Sequence, residues 1–590
     1  MFLGIKSYIS KVFYILGKKK SLLLLIFFVF LLSSILEFFS IAIILPYVAI
    51  LQNPLAILKN EWARNILTGF SITSSQKIVI YSSLLLIAVY SIKSMFFFIV
   101  QCSISYFTYD VNRYLRERLY SSYVNAPYQF FLNQNAATLI TNISDECYKF
   151  SINVVGVMAT FMSEAIFLLI IICALVFYNV KLLLLVFVVV LFIYSFYRFS
   201  KNKTFEYGRI GSESHTDVFQ IVNQTLNNIK IIKINNLQEY YINEVKTILK
   251  KMVTSSTNYY ALLLLPRIIF EMLFITSIVV LIIYCQSQLG GVKIIIPMLS
   301  TMAIAAIRLM PSVTKISNSM SAMKHSTYTV ERIYTILKKI EKQNQNQKLQ
   351  CSKDQPNIQA FKDRIEIKNL VFEYEATKKP VINGLNLSIK KGSSIAFTGK
   401  SGSGKTTLVN ILLGLLYPQS GDISIDGLSI YSNLANWQSN IGYVPQDIYL
   451  MNDSIRCNVA LGINDEKIDT DMVNRALTLA NLDALIAGLP DGINTRVGEN
   501  GIMLSGGQKQ RIGIARALYT NPSVIVFDEA TSSLDSETEN AIQKSIDNLA
   551  GEKTIIIVTH RLTTLKNCDV IYRIENGDIV QTGTYQDMFD

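Results

Sequence analysis

The residues from Gly399 to Thr406 have the types and the spacing of a loop that binds phosphate groups. They read GKSGSGKT, and their glycines let successive backbone N–H groups turn toward a polyphosphate without Cβ clashes. Lys405 is expected to reach the β- and γ-phosphates, and Thr406 to offer its hydroxyl to Mg²⁺. The sequence therefore predicts a nucleotide-phosphate site at this loop.

The stretches on either side of the loop must position it. An apolar run at Ile395–Phe397 predicts a strand before the loop, and a helical pattern continues from Leu408 to Leu415 after it. A helix that begins directly after the loop adds the positive potential of its N-terminus to the phosphate site. The alternative, a glycine-rich turn that carries a lysine by chance, is disfavoured by these two flanks.

Carboxylates and a histidine follow two further strand patterns. Val524–Phe527 is an apolar run that ends in Asp528 and Glu529. Asp528 is expected to hold Mg²⁺, and Glu529 to polarise an attacking water. A second apolar run, Thr554–Thr559, delivers His560 at its end. A buried structural histidine at the end of a strand is the alternative for His560.

Between these motifs, Leu504–Gln508 reads LSGGQ and opens a helical pattern. Its backbone donors and serine hydroxyl can face an anion. With the phosphate loop and the carboxylates, this sequence resembles the ATP-binding cassette (ABC) ATPases over Arg364 to Asp590. The resemblance implies an α/β P-loop ATPase that uses ATP and Mg²⁺.

The resemblance also implies roles for individual residues. Glu529, His560 and Gln446 are implied as catalytic residues. The implied Mg²⁺ ligands are Thr406, Gln446 and Asp528. Tyr374 matches the aromatic residue that stacks on adenine, although a surface strand tyrosine is the alternative. The residues implied to contact ATP are Tyr374, Gly399, Ser401, Gly402, Ser403, Gly404, Lys405, Thr406, Thr407, Ser505, Gly506, Gly507, Gln508 and Asp535.

Two loops and an assembly follow from the same resemblance. Ser533–Asp535 resembles the D-loop, and Thr495–Glu499 resembles the loop through which exporter cassettes touch a coupling helix. Two cassettes are implied to close head-to-tail, so that Ser505 of one chain faces ATP held by Lys405 of the other.

The first half of the chain is predicted to lie in a membrane. The chain has 590 residues, of which 51% are hydrophobic, and long apolar runs crowd residues 1–337. An all-α transmembrane domain over 1–337, a polar linker over 338–363 and an ATPase domain over 364–590 are therefore predicted. Runs long enough to cross a hydrocarbon layer of about 30 Å lie at Ser21–Leu51, Ile78–Phe107, Val154–Tyr178, Leu182–Phe199, Leu262–Cys285 and Val292–Ser317.

Charge predicts the orientation of these six spans. The net charge is +12, and the lysines and arginines of the chain flank the spans on the longer polar segments. Because cytoplasmic segments carry an excess of these residues, this distribution places the N-terminus and the ATPase in the cytoplasm. Coupling helices are expected near Phe130–Asp145 and His215–Lys233, and a short amphipathic helix on the outer face at Pro54–Phe70. The seven cysteines are scattered singly, which indicates no metal or disulfide framework.

Ionisable residues inside spans are costly and often functional. The candidate substrate residues are Lys93, Arg267, Arg308 and Lys315, which form a basic cavity suited to an anionic substrate if the chain is a dimer. Pairing with Glu37, Glu164 or Glu271 is the structural alternative. Glu37, Lys93, the stretches Leu264–Arg267 and Arg308–Ser312, and the predicted outer helix resemble the bacterial lipid-linked oligosaccharide flippases (PglK-type). Those proteins move polyprenyl-pyrophosphate-linked glycans for protein glycosylation.

The sequence thus predicts a homodimeric, ATP-driven flippase in a bacterial inner membrane with a lipid-linked anionic substrate. A multidrug, peptide or lipid A exporter is the first alternative, and an ATP-gated channel or regulator is the second. A soluble ABC ATPase that acts on nucleic acid is excluded by the six predicted spans.

Overall fold

The structure is a computed structural model that describes residues 2–55, 74–132, 134–178, 183–288, 310–350, 361–374, 379–529 and 536–589. The chain divides into two compact units. The first unit contains Met1–Ala126 and Asn133–Lys342, and the second contains Pro127–Leu132 and Gln343–Asp590.

The described residues of the first unit form helices joined by short turns. Its helices are α1 Phe2–Leu16, α2 Leu22–Ala42, α3 Ile44–Gln52, α4 Ser75–Val124, α6 Ala136–Thr141, α7 Cys147–Phe150, α8 Val157–Tyr178, α9 Leu183–Asn227, α10 Ile229–Ile234, α11 Gln238–Gln288, α12 over residues 310–325 and α13 Thr327–Gln350. Helix α5, Tyr128–Phe131, belongs to the second unit. Two π-helical segments, Asn142–Glu146 and Ser151–Gly156, connect α6, α7 and α8.

Among the described residues, three helical stretches are long and apolar enough to cross a membrane. They are Ser75–Val124, Ala136–Cys173 and Gln238–Val280, and they contain most of the second, third and fifth predicted spans. A fourth becomes possible if Lys6–Ser21 and Ile26–Ser40, which meet at 84°, form one bent span. The fourth predicted span begins α9, and most of the sixth lies outside the described residues, as does most of the predicted outer helix. The count of six therefore stays a prediction.

The N-terminal helix α1 is held against two other helices of the first unit. Val12, Ile15 and Leu16 are fully buried. Arg118 on α4 donates hydrogen bonds to the carbonyl oxygens of Tyr14 at 3.1 Å and Ile15 at 2.8 Å, which caps the last turn of α1. The basic start of the chain thus forms a packed helix that bends sharply into α2.

The linker predicted over 338–363 is helical in its first part, because α13 continues to Gln350. Residues 351–360 lie outside the described residues, so the polar linker stays a prediction over that stretch.

The second unit contains two sheets. An antiparallel sheet has the strand order β2-β1-β4-β5, and the larger sheet has the order β10-β9-β3-β8-β7-β6. In the larger sheet, β3 pairs in parallel with β8 and β9, and β7 pairs in parallel with β6 and β8. The strands are β1 Arg364–Glu373, β2 Pro380–Lys390, β3 Ser394–Thr398, β4 Ser420–Ile425, β5 Leu428–Ser429, β6 Ile441–Val444, β7 Val524–Asp528, β8 Thr554–Val558, β9 Val570–Glu575 and β10 Asp578–Gly583.

The strands β3, β7 and β8 are buried along almost their whole length, and their central residues are apolar, because both faces of the sheet are covered. Ala396, Ile525 and Phe527 pack on one side with helices that include α17 and α19, whereas Ile395 and Phe397 pack on the other side with α14 and the antiparallel sheet. The helices of this unit are α14 Lys405–Leu412, α15 Leu434–Ser439, α16 Ile455–Val459, α17 Thr470–Leu479, α18 Asp483–Ala487, α19 Gly506–Leu518, α20 Ser536–Asp547, α21 Leu562–Leu565 and α22 Tyr585–Phe589. This arrangement brings the carboxyl ends of β3, β7 and β8 to one edge.

Candidate nucleotide site

The phosphate loop connects strand β3 to helix α14, as the sequence predicts. Helix α14 begins at Lys405, and the Leu408 amide donates to the carbonyl of Gly404 at 2.9 Å in its first turn. In the loop before this turn the Ser403 amide donates to the carbonyl of Lys400 at 3.2 Å, and the first amides of a helix are ordinary donors to an anion. The local structure therefore has the strand, loop and helix start that a polyphosphate needs.

Glycine is required in this loop by both conformation and space. Gly399 and Gly404 have φ of +145° and +106°, which L-residues rarely adopt. A Cβ at Gly399 would lie 2.1 Å from the carbonyl oxygen of Ile574, and one at Gly404 would lie 2.9 Å from that of Val381. The loop backbone is thus wedged against neighbouring strands. In contrast, Ser401, Gly402 and Thr406 are exposed at the loop surface.

The amino group of Lys405 folds back onto the loop. It donates to the carbonyl oxygens of Gly399 at 2.8 Å and Lys400 at 2.9 Å, and it lies 3.5 Å from the hydroxyl of Ser403. The residue is only 5% exposed. Burial lowers the pKa of Lys405, and the charges of Glu529 and Asp528 oppose that shift. A buried ammonium group held by the carbonyls of this loop fits the binding of an anionic phosphate.

Asp528 ends strand β7 and is 8% exposed. Burial raises the pKa of its carboxyl group, whereas Tyr443 and Lys405 act in the opposite direction. The hydroxyl of Tyr443 donates to Oδ2 of Asp528 at 3.4 Å. A buried carboxylate is costly without a cation, so this position suits a Mg²⁺ ligand.

Glu529 is held between the two residues that the resemblance assigns to catalysis. Its Oε2 accepts a hydrogen bond from Nε2 of Gln446 at 3.3 Å, and its Oε1 lies 3.2 Å from Nε2 of His560. The backbone of Glu529 has φ of +48°, and its amide donates to the carbonyl of Val558 at 3.0 Å. His560 is therefore a half-exposed partner of a carboxylate, and the alternative of a buried structural histidine is wrong.

The oxygen donors near the loop suit a hard cation. Mg²⁺ prefers carboxylate, hydroxyl and amide oxygens, and the sequence supplies these on Asp528, Thr406 and Gln446. The buried Asp528 carboxylate and the glycine cradle that a Cβ would fill both support a bound Mg²⁺–nucleotide.

Tyr374 lies at the rim of the same loop, just after β1. Its hydroxyl is 3.0 Å from Oγ1 of Thr407, and its ring packs edge-on against Phe372 at 4.9 Å. The contact with Thr407 ties an aromatic face to the start of α14. The adenine-stacking role remains a prediction.

The signature motif starts helix α19 with a complete capping box. The Ser505 hydroxyl accepts from the Gln508 amide at 3.3 Å, and Oε1 of Gln508 accepts from the Ser505 amide at 2.9 Å. Ser505 and Gly506 are exposed, whereas Gly507 is buried. Within the described part of the chain, no hydrogen bond joins these residues to the phosphate loop.

Two predicted loops have different outcomes. Asp535, with the rest of the predicted D-loop, lies outside the described residues. The loop Thr495–Glu499 is pinned to residues 453–455, because the Ile455 amide donates to Thr495 and the Val497 amide donates to Asp453, both at 3.1 Å.

Sequence reasoning missed Tyr443. Its only sequence signal was its place three residues before Gln446, at the end of a short apolar run. Its partner Asp528 is far along the chain, so the contact requires the parallel pairing of β6 with β7.

The cations predicted in the membrane half are partly paired. Lys93 lies 3.9 Å from Glu37, and Lys315 lies 2.6 Å from Glu164. These ion pairs are the structural alternative for two of the four candidate substrate residues. Among the described residues Arg267 has no ion-pair partner, so it does not pair with Glu271. Arg308 lies outside the described residues.

Two regions of the chain match known protein families. Residues 22–305 match the family described as ABC transporter transmembrane region, and residues 382–532 match the family described as ABC transporter.

Curated relatives match over part of their length. An uncharacterized ABC transporter ATP-binding protein of Bacillus subtilis is 41% identical over 246 residues, which is 41% of this chain and 42% of the relative. An ATP-dependent lipid A-core flippase of Saccharophagus degradans is 43% identical over 237 residues, which is 40% of each chain. A Staphylococcus aureus protein named as a candidate multidrug export ATP-binding/permease protein is 43% identical over 232 residues, 39% of this chain and 40% of the relative. The chain thus spans about two fifths of the length of each relative.

The fold matches over almost the whole chain. A solved bacterial Atm1-family ABC exporter with ATP bound has a TM-score of 0.74 and 21% identity, and the match covers 94% of this chain and 95% of that one. A helical transmembrane domain followed by an α/β ATPase domain is therefore confirmed as the fold class.

Proposed function

The chain carries the transmembrane region and the ATPase region of the ABC transporter family, and we propose that it couples ATP hydrolysis to the export of an amphipathic substrate. The observation that carries this proposal is the placement of Glu529. Its carboxylate lies within 3.3 Å of both Gln446 and His560, and a positioned carboxylate can take a proton from an attacking water. In this mechanism Lys405 would bind the phosphates and Asp528 would hold a Mg²⁺ ion, whose charge would offset that of the phosphates.

Two copies of the chain would complete the site. Ser505 is exposed, and the neighbouring Ile502 and Met503 are 79% and 74% exposed. Apolar side chains at such exposure favour burial against a partner. A homodimer in which each signature motif faces the other chain's phosphate loop would bury this surface and bring a helix N-terminus to the nucleotide.

Two short helices are suited to transmit a conformational change of the ATPase domain to the transmembrane domain. Helix α5, Tyr128–Phe131, falls in the compact unit that contains the ATPase. Helix α10 exposes Ile231 at 57% and Ile234 at 79%. Both lie in the regions predicted to hold coupling helices, and we assign that role to them.

For the substrate, we propose a lipid-linked anion, with a polyprenyl-pyrophosphate-linked oligosaccharide as the specific candidate. Two cations support it. Arg267 is exposed on α11 and has no ion-pair partner among the described residues, and the Lys315 side chain stays 50% exposed although it contacts Glu164. Both could reach a phosphate group by charge-assisted hydrogen bonds. Lys93 contributes less, because its side chain is 22% exposed and pairs with Glu37. The site would face a bacterial inner membrane, with the ATPase in the cytoplasm.

A multidrug, peptide or lipid A exporter is the second candidate. The ion pairs of Lys93 and Lys315 favour it, because they neutralise charge that an anionic substrate would otherwise meet. An ATP-gated channel is less well supported, since Glu529 has the contacts of a hydrolytic residue.

The test is transport by the full chain in liposomes, with labelled polyprenyl-pyrophosphate glycan, lipid A and a cationic drug as parallel substrates. The Arg267→Ala and Lys315→Ala variants should reduce glycan-lipid transport about tenfold, the effect of one lost charge-assisted hydrogen bond. Arg209→Ala is the matched control, since Arg209 is a half-exposed arginine outside the predicted spans. Equal glycan-lipid transport by all three variants, or drug transport alone, would favour the second candidate.

A further inference from the structure

Tyr443 occupies an unusual place for a residue with no assigned role. It lies on the edge strand β6 and is the register partner of Val526 on β7. Its side chain is 37% exposed, yet its hydroxyl reaches Oδ2 of the buried Asp528 at 3.4 Å. This long hydrogen bond is of the kind that tightens when ligands bind a catalytic site.

The Asp528 carboxylate has little else to hold it. Within the described part of the ATPase unit, the Tyr443 hydroxyl is the one hydrogen-bond donor to this carboxylate. An aspartate side chain can rotate about its terminal bond, because that torsion is broad and weakly restricted. Tyr443 is therefore the side chain whose hydroxyl is placed to orient this carboxylate.

We propose that Tyr443 is a positioning residue for the metal of this site: its hydroxyl fixes one oxygen of Asp528 so that the other can bind Mg²⁺. This inference rests on the proposed ATPase function. Groups that hydrogen-bond to metal ligands fix the orientation of those ligands, and their loss typically costs 10- to 100-fold in metal affinity. Tyr443 would act through Asp528 and would not touch the metal itself.

The surroundings of Tyr443 support a role beyond packing. Its phenol hydroxyl is a hydrogen-bond donor at neutral pH, since an ordinary tyrosine has a pKa of about 10, and it interacts electrostatically with Asp528 and Tyr128. Tyr128 begins helix α5, which belongs to the same compact unit. Because Tyr443 lies near both α5 and Asp528, it can link the position of this proposed coupling helix to the geometry of the metal site.

The decisive measurement is Mn²⁺ binding, followed by the paramagnetic resonance signal of free Mn²⁺, on the full chain with adenylyl imidodiphosphate. Tyr443→Phe removes only the hydroxyl and should weaken Mn²⁺ binding at least tenfold. Nucleotide binding without metal should be unchanged. The Mg²⁺ concentration for half-maximal ATPase activity should rise by the same factor, with kcat at saturating Mg²⁺ close to that of the unaltered protein.

Tyr572→Phe is the matched control. Its hydroxyl donates to the carbonyl of Ser388 at 3.0 Å, in the same unit but away from Asp528, so its loss should leave Mn²⁺ affinity unchanged. Equal Mn²⁺ affinity in Tyr443→Phe and the unaltered protein would overturn the inference, and so would tighter binding, which would mean that the hydroxyl competes with the metal. Absence of Mn²⁺–nucleotide binding by the unaltered protein would instead overturn the proposed function.

Discussion

A methyl group added to one glycine of the phosphate loop should weaken nucleotide binding about a hundredfold, whereas the same group at a nearby glycine should weaken it only about tenfold. In the Gly399→Ala variant, the new Cβ would lie 2.1 Å from the carbonyl oxygen of Ile574. In the Gly402→Ala variant, no atom lies within 4 Å of the new Cβ. Both residues have positive φ, +145° and +81°, so the pair separates the effect of space from that of conformation.

The expected magnitudes follow from these distances. The Gly399 backbone must retreat by roughly 1 Å to remove the contact, and a displacement of about that size can cost ~10²-fold in a positioned site. The carbonyl oxygen of Gly399 also accepts a hydrogen bond from the amino group of Lys405, so the lysine would move with the Gly399 backbone. For Gly402→Ala, only the conformational cost of roughly 1–2 kcal/mol remains, equivalent to a loss of about tenfold.

Binding of a fluorescent ATP analogue to the purified chain measures both variants, and thermal unfolding without nucleotide controls for folding. Gly399→Ala should bind at least ten times more weakly than Gly402→Ala. Equal affinities would refute the view that close contact with Ile574 fixes the loop.

Two further predictions concern hydrolysis and assembly. The Glu529→Gln variant should retain ATP binding and lose ~10²–10⁴ in hydrolysis rate, because an amide between Gln446 and His560 cannot accept a proton as the carboxylate does. A variant with near-normal ATPase activity would exclude Glu529 as the base. Co-assembly of Ser505→Ala with Lys405→Ala chains should give mixed dimers with one intact and one doubly damaged site, visible as half-of-sites nucleotide trapping; equal trapping at both sites would contradict a head-to-tail dimer.

The local structure of the candidate nucleotide site could largely be predicted, because its residues lie in contiguous motifs. The phosphate loop needs glycine, lysine and a following helix within eight positions, and the structure places Lys405 at that helix start. Glu529 and His560 come at the ends of strands, and parallel strands bring such ends to one edge. The contact of Tyr443 with Asp528 was not predictable in this way, because it depends on strand order, which periodicity does not reveal.

The folded-back position of the Lys405 side chain also could not be predicted from the sequence. Its motif predicts a lysine that reaches phosphates, but the structure shows the amino group held by the carbonyls of Gly399 and Lys400. A buried ammonium needs acceptors, and the nearest ones are those of its own loop.

The transmembrane half shows most clearly that sequence periodicity does not reveal contacts between distant residues. It also yields the last prediction. Periodicity places Glu37 and Lys93 in different spans but not their separation, which the structure gives as 3.9 Å. If this pair is structural, Lys93→Glu should destabilise the protein, since two like charges at this distance repel by about 4 kcal/mol at an effective dielectric constant of 20. Adding Glu37→Lys should restore the thermal stability, because the pair is re-formed with its charges exchanged. If Lys93 instead binds the substrate, the double variant should be stable but inactive in glycan-lipid transport. Recovery of stability and transport together would remove Lys93 from the substrate site, and failure to recover stability would contradict the pair itself.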